Sequence, residues 1–319
     1  MEHYIGFDIG GTKCAVSLGK VDGNTLTILH REEVKTQDSP VATLGLLAPH
    51  VLSWKEQYAV KKAGISCGGP LDSKRGIIVC PPNLASGWHG FEIVDYIAKT
   101  FGLISKLEND ANACAVAEWL FGAGQGSQNM IFMTFGTGLG AGLILDGKLY
   151  SGTNGNAGEI GHVRLAKDGP IGFNKTGSAE GFCSGNGIKN LAFIRAKERG
   201  IVLDETTTAK TVFEKARAGD EFCLSIVKES AEQFGNVLSI LIDLFNPEII
   251  VAGGVFMRNY DLFMPLLSPV VERESIDQSR AVCRILPAKI GENVGDYASI
   301  SLAKTIEEQR YENTYARNF

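Results

Sequence analysis

Residues 4–18 of the chain read YIGFDIGGTKCAVSL, and this stretch decides the fold class. A short apolar strand, a glycine turn at residues 10–12 and a second apolar strand follow one another, which predicts a tight β-hairpin. The same design returns at residues 130–145, MIFMTFGTGLGAGLIL, with its turn at residues 136–138. Each half of the chain therefore opens with a glycine hairpin.

Strand and helix patterns alternate along the rest of the chain. Helices are predicted at about 40–57, 92–101 and in the region ending near 245, and strands at 62–66, 104–107 and 249–251. This alternation predicts an α/β protein with mostly buried sheets. We place a small N-terminal α/β domain at residues 1–117 and a larger C-terminal α/β domain at 118–295. We expect a C-terminal helix, about 296–312, to pack back on the first domain.

Length and composition exclude several classes of protein. At about 150 residues per domain, 319 residues suggest two domains. Hydrophobic residues make up 44% and charged residues 21% of the chain, which is typical of a globular protein. The formal net charge of −5 provides no basic field for nucleic acid or for an anionic membrane. We therefore expect small-molecule partners, with no nucleic acid and no membrane.

The cysteines and the amino terminus indicate a cytoplasmic location. The seven cysteines are an odd number, scattered and without a CxxC pair, a pattern that favours neither disulfides nor a metal cluster. The first residues show no basic start followed by an apolar run, so we expect no secretory signal. No apolar run reaches the ~20 residues of a membrane helix.

The first glycine turn has the features of a phosphate site. Asp8 ends the first strand, and the turn that follows consists of Gly10, Gly11, Thr12 and Lys13. Glycine amides in such a turn approach a phosphate closely, and the carboxylate suits an associated magnesium ion. The alternative is an Asp-capped β-turn in which the glycines are purely structural. The second turn favours the phosphate interpretation, because two such turns suit the two ends of a triphosphate.

Two other nucleotide motifs are rejected for the second hairpin. Its glycines resemble a dinucleotide fingerprint, which requires a helix after the turn, whereas an apolar strand follows here. Residues 142–149 nearly match a P-loop, but Leu149 stands where a Ser or Thr is required to bind magnesium. This segment is therefore predicted to be a hairpin turn.

Asn109 and Asp110 lie between a strand and the apolar helix that follows. Either side chain suits the N-cap position of this helix, which is the structural interpretation. Asp110 also stands at the carboxyl end of a strand, where α/β folds bind their ligands. A carboxylate there accepts the proton of a hydroxyl during phosphoryl transfer. The two interpretations are compatible.

Glu159, His162 and Glu180 lie in a glycine-rich region between residues 151 and 187. Glu159 and His162 are three residues apart, so they face the same way in a helix or turn. A lone histidine of this kind is more often a core residue than a ligand. Carboxylates, an amide and an imidazole gathered at one site nevertheless suit a hydroxyl-rich ligand such as a sugar.

The order of DIGGTK, NDANACAVAE, TFGTGLGAG, GNAGEIGH and VAGGV along nearly the whole chain resembles the ROK family of bacterial sugar kinases, repressors and relatives. The resemblance implies an α/β, actin-like ATPase (ribonuclease H-like) fold with two domains around a central cleft. It also implies ATP and Mg²⁺ as cofactors and a homodimer as the assembly.

The same resemblance assigns roles to individual residues. Asp8 matches the acid near magnesium, and Asp110 matches the catalytic base. The positions that match phosphate contacts are Gly10, Gly11, Thr12, Lys13, Thr137 and Gly138. Gly253 and Gly254 fall in the adenosine region. The positions that match sugar contacts are Gly69, Asn109, Asp110, Glu159, His162 and Glu180.

One departure from the family pattern concerns a structural zinc ion. Family kinases usually hold zinc with the histidine of the GH dipeptide and three cysteines, and here Ile171, Phe173 and Ser178 occupy the three cysteine positions. Cys183 lies beyond the motif. We therefore predict no zinc, and we expect packing of Ile171, Phe173 and Phe182 to hold the loop instead.

The expected activity is ATP-dependent phosphorylation of a hexose at its 6-hydroxyl. Residues 68–72 and 81–84 and Trp88 resemble the glucokinases of the family, which favours glucose. Kinases for N-acetylmannosamine, N-acetylglucosamine, fructose, allose or a β-glucoside remain alternatives. A family repressor requires a preceding DNA-binding domain, for which a first strand beginning at Tyr4 leaves no room. A non-catalytic sugar sensor has no need of Asp110 or of both phosphate turns.

Overall fold

The computed structural model describes residues 1–307 and divides the chain into two compact units. Among the described residues, unit 1 consists of residues 1–121 and 292–307, and unit 2 of residues 122–291. The boundaries proposed from the sequence, after 117 and after 295, lie within a few residues of these. The C-terminal helix spans Val294–Lys304, so it ends before the predicted limit near 312. Residues 308–312 of that prediction lie outside the described residues.

The bounds of the regular elements are as follows. The strands are β1 (Glu2–Ile9), β2 (Lys13–Asp22), β3 (Thr25–Lys35), β4 (Lys62–Cys67), β5 (Leu71–Asp72), β6 (Ile77–Ile78), β7 (Ile104–Asn109), β8 (Met130–Phe135), β9 (Leu139–Leu145), β10 (Lys148–Tyr150), β11 (Ile171–Gly172), β12 (Lys175–Thr176), β13 (Ile249–Ala252) and β14 (Arg284–Pro287). The helices are α1 (Pro40–Tyr58), α2 (Ile93–Phe101), α3 (Asp110–Phe121), α4 (Ala179–Phe182), α5 (Gly185–Glu198), α6 (Ala209–Arg217), α7 (Glu221–Phe245), α8 (Gly254–Arg258), α9 (Tyr260–Glu274), α10 (Asp277–Val282) and α11 (Val294–Lys304). Short 3₁₀ segments cover Ser86–Trp88, Ile160–His162 and Gly291–Asn293.

The sheet of unit 1 has the strand order β3-β2-β1-β4-β7. The first three strands form an antiparallel meander, and β4 and β7 run parallel to β1. Helix α11 packs against β1, β4 and α3. The approach is close enough that a Cβ atom at Gly64 would overlap the carbonyl oxygen of Ser299, so this contact requires glycine.

The sheet of unit 2 repeats this arrangement with the order β10-β9-β8-β13-β14. Strands β8, β9 and β10 form an antiparallel meander, and β13 and β14 run parallel to β8. Helix α7 supplies much of the core through buried apolar residues along 25 residues of helix. Each glycine hairpin predicted from the sequence therefore forms the first two strands, in chain order, of its own five-stranded mixed sheet.

No helix within residues 1–307 has both the length and the apolar character needed to cross a membrane.

Candidate active site

The predicted residues of unit 1 gather at one edge of its sheet. Strands β1, β4 and β7 are parallel, and Ile9, Cys67 and Asn109 lie level with one another across them. Three segments therefore emerge at the same edge of the sheet. They are the turn after β1, the loop after β4 that contains Gly69, and the end of β7 with Asn109 and Asp110. This is the carboxyl edge, where ligands of open α/β sheets bind.

The β1–β2 turn is a closed loop with an exposed tip. The amide of Gly10 donates to the carbonyl of Lys13 at 3.1 Å, and the Thr36 hydroxyl donates to the carbonyl of Gly10 at 2.6 Å. Gly11, Thr12 and Lys13 are exposed. A Cβ atom at Gly11 would overlap the carbonyl oxygen of Asn83, so no larger residue fits there without a shift of the backbone. Internal hydrogen bonds thus close the turn, and its tip is exposed to solvent.

Asp8 lies among other carboxylates. Burial, followed by the charges of Asp296 and Asp110, raises the pKa of the Asp8 carboxyl to about 6, and Arg31 opposes this effect. Asp296 accepts hydrogen bonds from the Ser17 hydroxyl at 2.6 Å and from Arg31 Nε at 3.1 Å. Carboxylate oxygens are hard donors, and the charges of Asp296 and Asp110 make the surroundings of Asp8 negative. Asp8 therefore fits a Mg²⁺ ion that takes its remaining ligands from phosphates and water.

Asn109 and Asp110 take different roles at the start of α3. Asn109 Oδ1 accepts the amide of Asn112 at 2.8 Å, so Asn109 caps the helix. Asp110 is exposed and accepts the amide of Ala111 at 2.8 Å. Desolvation by the surrounding protein raises the pKa of the Asp110 carboxyl, although that hydrogen bond lowers it. The cap is thus provided by Asn109, so the helix does not need Asp110 as its cap.

Glu108 is a buried residue that the sequence analysis did not single out. Its Oε1 accepts the amide of Asn109 at 3.1 Å, Asn112 Nδ2 at 3.1 Å and the Ser73 hydroxyl at 3.3 Å. One carboxylate therefore joins the strand–helix junction that carries Asp110 to the segment between β5 and β6. The signal available in the sequence was an acidic residue at an inward position of a buried strand.

The predicted nucleotide residues of unit 2 lie at the carboxyl edge of its own sheet. Strands β8 and β13 are parallel, with Ala252 level with Met133. The turn containing Thr137 and Gly138 follows β8, and Gly253 and Gly254 follow β13. Gly254 has a φ of 59°, and a Cβ atom there would overlap the Phe135 carbonyl oxygen. The two loops are therefore in contact, and the contact requires glycine.

Glu180 is held against the second glycine turn. It lies in the first turn of α4, and its Oε2 accepts the amide of Leu139 at 3.1 Å. A Cβ atom at Gly138 would come within 2.6 Å of the same oxygen. The carboxylate of Glu180 thus has a fixed orientation beside Gly138.

Glu159 and His162 lie on a 3₁₀ turn, where the amide of His162 donates to the carbonyl of Glu159 at 3.1 Å. Both residues are exposed, so the alternative of a core histidine is wrong. The His162 carbonyl accepts Lys175 Nζ at 2.8 Å, and its imidazole contacts the Phe173 ring. Both side chains are accessible to a hydroxyl-rich ligand.

The expectation that Ile171 and Phe173 pack into the loop is wrong, whereas Phe182 is buried as expected. Ile171 is 60% exposed and Phe173 is 73% exposed, because they lie on the two-residue hairpin formed by β11 and β12. Polar contacts hold this segment instead. The Ser178 hydroxyl donates to the Gly172 carbonyl at 3.0 Å, and Arg164 Nη1 donates to the Thr176 carbonyl at 2.8 Å.

Cys183 is buried, and its thiol lies 3.7 Å from the Ser230 carbonyl, to which it donates. Over residues 1–307, no three His, Cys, Asp or Glu side chains lie close enough together to hold a metal ion. The absence of zinc from the protein remains a prediction. Magnesium at Asp8 would depend on phosphate oxygens and water to complete its coordination.

Each unit carries its own share of the predicted residues. Unit 1 contains Asp8, Gly10, Gly11, Thr12, Lys13, Gly69, Asn109 and Asp110. Unit 2 contains Thr137, Gly138, Glu159, His162, Glu180, Gly253 and Gly254. Within each unit, residues far apart in the sequence lie on loops at one edge of one sheet or on segments that pack against those loops.

Known proteins resemble this chain over most of its length. The chain is 32% identical over 277 residues to a glucokinase of Thermotoga maritima, covering 84% of this chain and 87% of that protein. It is similar to a ROK family glucokinase from Streptomyces griseus, solved in complex with glucose and AMPPNP, with 31% identity and a TM-score of 0.74 over 95% of this chain and 100% of that one. A ROK hexokinase from Thermus thermophilus matches with 26% identity and a TM-score of 0.78, over 95% and 98% of the two chains.

The two sheets share one strand order, β3-β2-β1-β4-β7 in unit 1 and β10-β9-β8-β13-β14 in unit 2. This repeat and the structural matches confirm the predicted α/β, actin-like ATPase (ribonuclease H-like) fold. The sequence model of the ROK family matches residues 4–306, nearly the whole of the described chain. The resemblance read from the motifs is confirmed as well, and the chain belongs to the ROK family.

Proposed function

We propose that this protein is an ATP-dependent hexose kinase that transfers a phosphoryl group to the 6-hydroxyl of its sugar. The observation that carries the proposal is the carboxyl edge of the first sheet, where the turn after Asp8 and the exposed carboxylate of Asp110 follow strands in matched register. A loop for phosphate and a carboxylate for the hydroxyl proton are two parts that phosphoryl transfer to an alcohol requires.

Asp110 accepts the proton of the 6-hydroxyl as that oxygen attacks the phosphorus atom. Its hydrogen bond from Ala111 holds one carboxylate oxygen at the start of α3, which fixes where the proton is taken up. Asp8 would hold Mg²⁺, which when bound neutralises charge that develops on the phosphoryl oxygens. The turns at Gly10–Lys13 and at Thr137 and Gly138 bind phosphates, and Gly253 and Gly254 contact the adenosine.

The sugar is bound by hydrogen bonds from Asn109, Glu159, His162 and Glu180 and by the loop at Gly69. The Glu180 carboxylate is already oriented by the amide of Leu139, so it loses little freedom when it accepts a hydroxyl. Glu159 and His162 are both exposed, so a ligand in solution can reach them.

Glucose is the substrate we propose. Support comes from the similarity to two glucokinases, one of them solved with glucose, and from Pro70 in a loop where related N-acetylmannosamine kinases tend to carry Arg. Other hexoses and amino sugars are the alternatives. From the family resemblance we further propose a cytoplasmic homodimer.

The experiment that tests the function is a coupled ADP-release assay with the wild-type protein, ATP and Mg²⁺. The substrates are glucose, mannose, fructose, allose, N-acetylglucosamine, N-acetylmannosamine and a β-glucoside. The highest kcat/KM with glucose and an NMR spectrum showing 6-phosphate support the proposal. Sugar binding in calorimetry without ADP release from any substrate would indicate a sugar sensor instead.

A further inference from the structure

Phe173 is an unusual residue for the turn that it occupies, and burial in the core does not explain its presence there. It occupies the first position of the two-residue turn between β11 and β12, with a φ of 48°, followed by Asn174 at 61°. Such turns favour glycine, asparagine or aspartate, because a bulky side chain is strained at positive φ. The side chain is 73% exposed, so burial does not compensate for this strain.

The ring of Phe173 instead contacts His162. The two ring centroids are 5.5 Å apart and the planes meet at 88°, which is the edge-to-face geometry that aromatic pairs prefer. The same hairpin holds the main chain of His162, because Lys175 Nζ donates to its carbonyl at 2.8 Å. The hairpin therefore contacts His162 at both its ring and its backbone.

We propose that Phe173 is a positioning residue that fixes the imidazole of His162 for the sugar hydroxyls. This inference rests on the proposed function, since it requires His162 to contact the sugar. An exposed histidine without a neighbour samples several rotamers, and binding would have to select one of them. Contact with the Phe173 ring restricts the imidazole of His162 to fewer rotamers before the sugar binds. The strained turn thus places the Phe173 ring where it orients a sugar-binding side chain.

The test compares Phe173→Asn with Phe173→Tyr in the full-length enzyme. Asparagine suits the turn but removes the ring, so it should keep or raise the melting temperature while raising the sugar KM by at least about threefold, the lower range for loss of an aromatic pair. Tyrosine keeps the ring and should restore the wild-type sugar KM. The KM for ATP should not change in either variant.

Ile171→Thr is the matched control, because it replaces another exposed apolar side chain of the same hairpin that lies two residues from Phe173. It should leave the sugar KM unchanged. The double variant Phe173→Asn/His162→Ala should show the same sugar KM as His162→Ala alone, since Phe173 acts only through the imidazole. A wild-type sugar KM in Phe173→Asn, or an equal rise in the KM for ATP, would overturn the inference.

An NMR readout separates this inference from the proposed function. The ring protons of His162, assigned by their loss in His162→Ala, should shift in Phe173→Asn without any ligand, because the neighbouring ring is gone. Failure of the proposed function has a different signature, since no sugar would then release ADP from the wild-type protein. Unchanged His162 signals would overturn the positioning role whatever the activity.

Discussion

Asp110 differs from its neighbour Asn109 although both lie at one strand–helix junction. Asn109 caps α3, so the helix does not depend on the carboxylate of Asp110. Desolvation by the surrounding protein raises the pKa of the Asp110 carboxyl, which makes it a better proton acceptor than an ordinary aspartate. The structure therefore separates the stabilising role from the proposed chemical role.

Asp110→Asn should lower kcat by about 10²–10⁴-fold and leave sugar affinity largely intact, because the amide keeps the shape but takes no proton. Kinetics and calorimetry on the same preparation measure the two effects. Asp95→Asn, which makes the same replacement at an exposed site on α2, is the matched control. Near wild-type turnover in Asp110→Asn would show that the residue is not the base.

Asp8 should oppose folding at neutral pH. Its folded pKa of about 6 lies above the value of about 4 expected in the unfolded chain. The unfolded state therefore releases its proton first, and stability falls as pH rises between these values. Asp8→Asn should raise the melting temperature at pH 7 without nucleotide, and this gain should vanish near pH 4.

Melting curves from pH 4 to pH 8 measure this effect. ATP with Mg²⁺ should raise the melting temperature of the wild type more than that of Asp8→Asn, since the variant lacks the carboxylate proposed to hold the ion. A pH-independent difference between the two proteins would refute the electrostatic account.

Glu159→Gln and His162→Ala should weaken sugar binding by about tenfold each, the cost of losing a hydrogen bond to a charged or polar group. ATP affinity should stay nearly unchanged, because the phosphate turns are on other segments. Both residues are exposed, so melting temperatures without ligand should change little. A drop in stability with normal sugar affinity in calorimetry would assign both residues a structural role.

At the scale of elements, Glu108 connects the end of β7, the first turn of α3 and the segment after β5. Glu108→Ala leaves Asn112 Nδ2 and the Asn109 amide without this acceptor, which should lower stability by about 1–3 kcal/mol and reduce kcat by displacing Asp110. Denaturant unfolding and turnover measure the two effects.

Ser73→Ala is the control, because it removes only the longest of the three hydrogen bonds, at 3.3 Å. It should have a smaller effect on both stability and kcat. If Glu108→Ala keeps full stability and turnover, the junction does not depend on this carboxylate.

The elements that could be predicted from sequence are those with strong local signals. The two hairpins follow from apolar runs around glycine turns, and α1 was expected at 40–57 and spans Pro40–Tyr58. Strands β3 and β14 were missed. Each lies at the edge of a sheet, where β3 carries exposed charged residues and β14 has only four residues ending in Pro287, so neither shows a buried apolar run.

The candidate site could be predicted only in part, because some of its contacts join segments that are distant in the sequence. Motifs identified the segments that carry Asp8, Asp110 and Glu180. Asp8 and Asp110 lie where parallel strands of one sheet end at the same edge, and Glu180 lies on α4 of unit 2. The contacts of Glu108 and the exposure of Phe173 depend on segments that meet only in the folded protein. Local sequence marks Glu108 as an acidic residue in a buried strand, but it carries no signal for the partners of Glu108 or for the exposure of Phe173.

For the whole molecule, the ligand count predicts a protein that needs no zinc. Cys183 is buried and donates to Ser230, while His162 is exposed on a different segment, and a structural site requires four ligands. Elemental analysis should show no stoichiometric zinc, and activity should survive a strong chelator once Mg²⁺ is restored. One tightly bound zinc per chain would overturn this prediction.

The position of α11 has a consequence for biosynthesis. This helix covers β1 and β4 of unit 1, yet the ribosome makes it only after residues 122–291 of unit 2. At elongation rates of about 5–20 residues per second, the nascent first unit must wait on the order of ten to thirty seconds for its last element. During that interval the sheet face around Gly64 is uncovered, so unit 2, whose residues are continuous, can finish folding before the unit that precedes it.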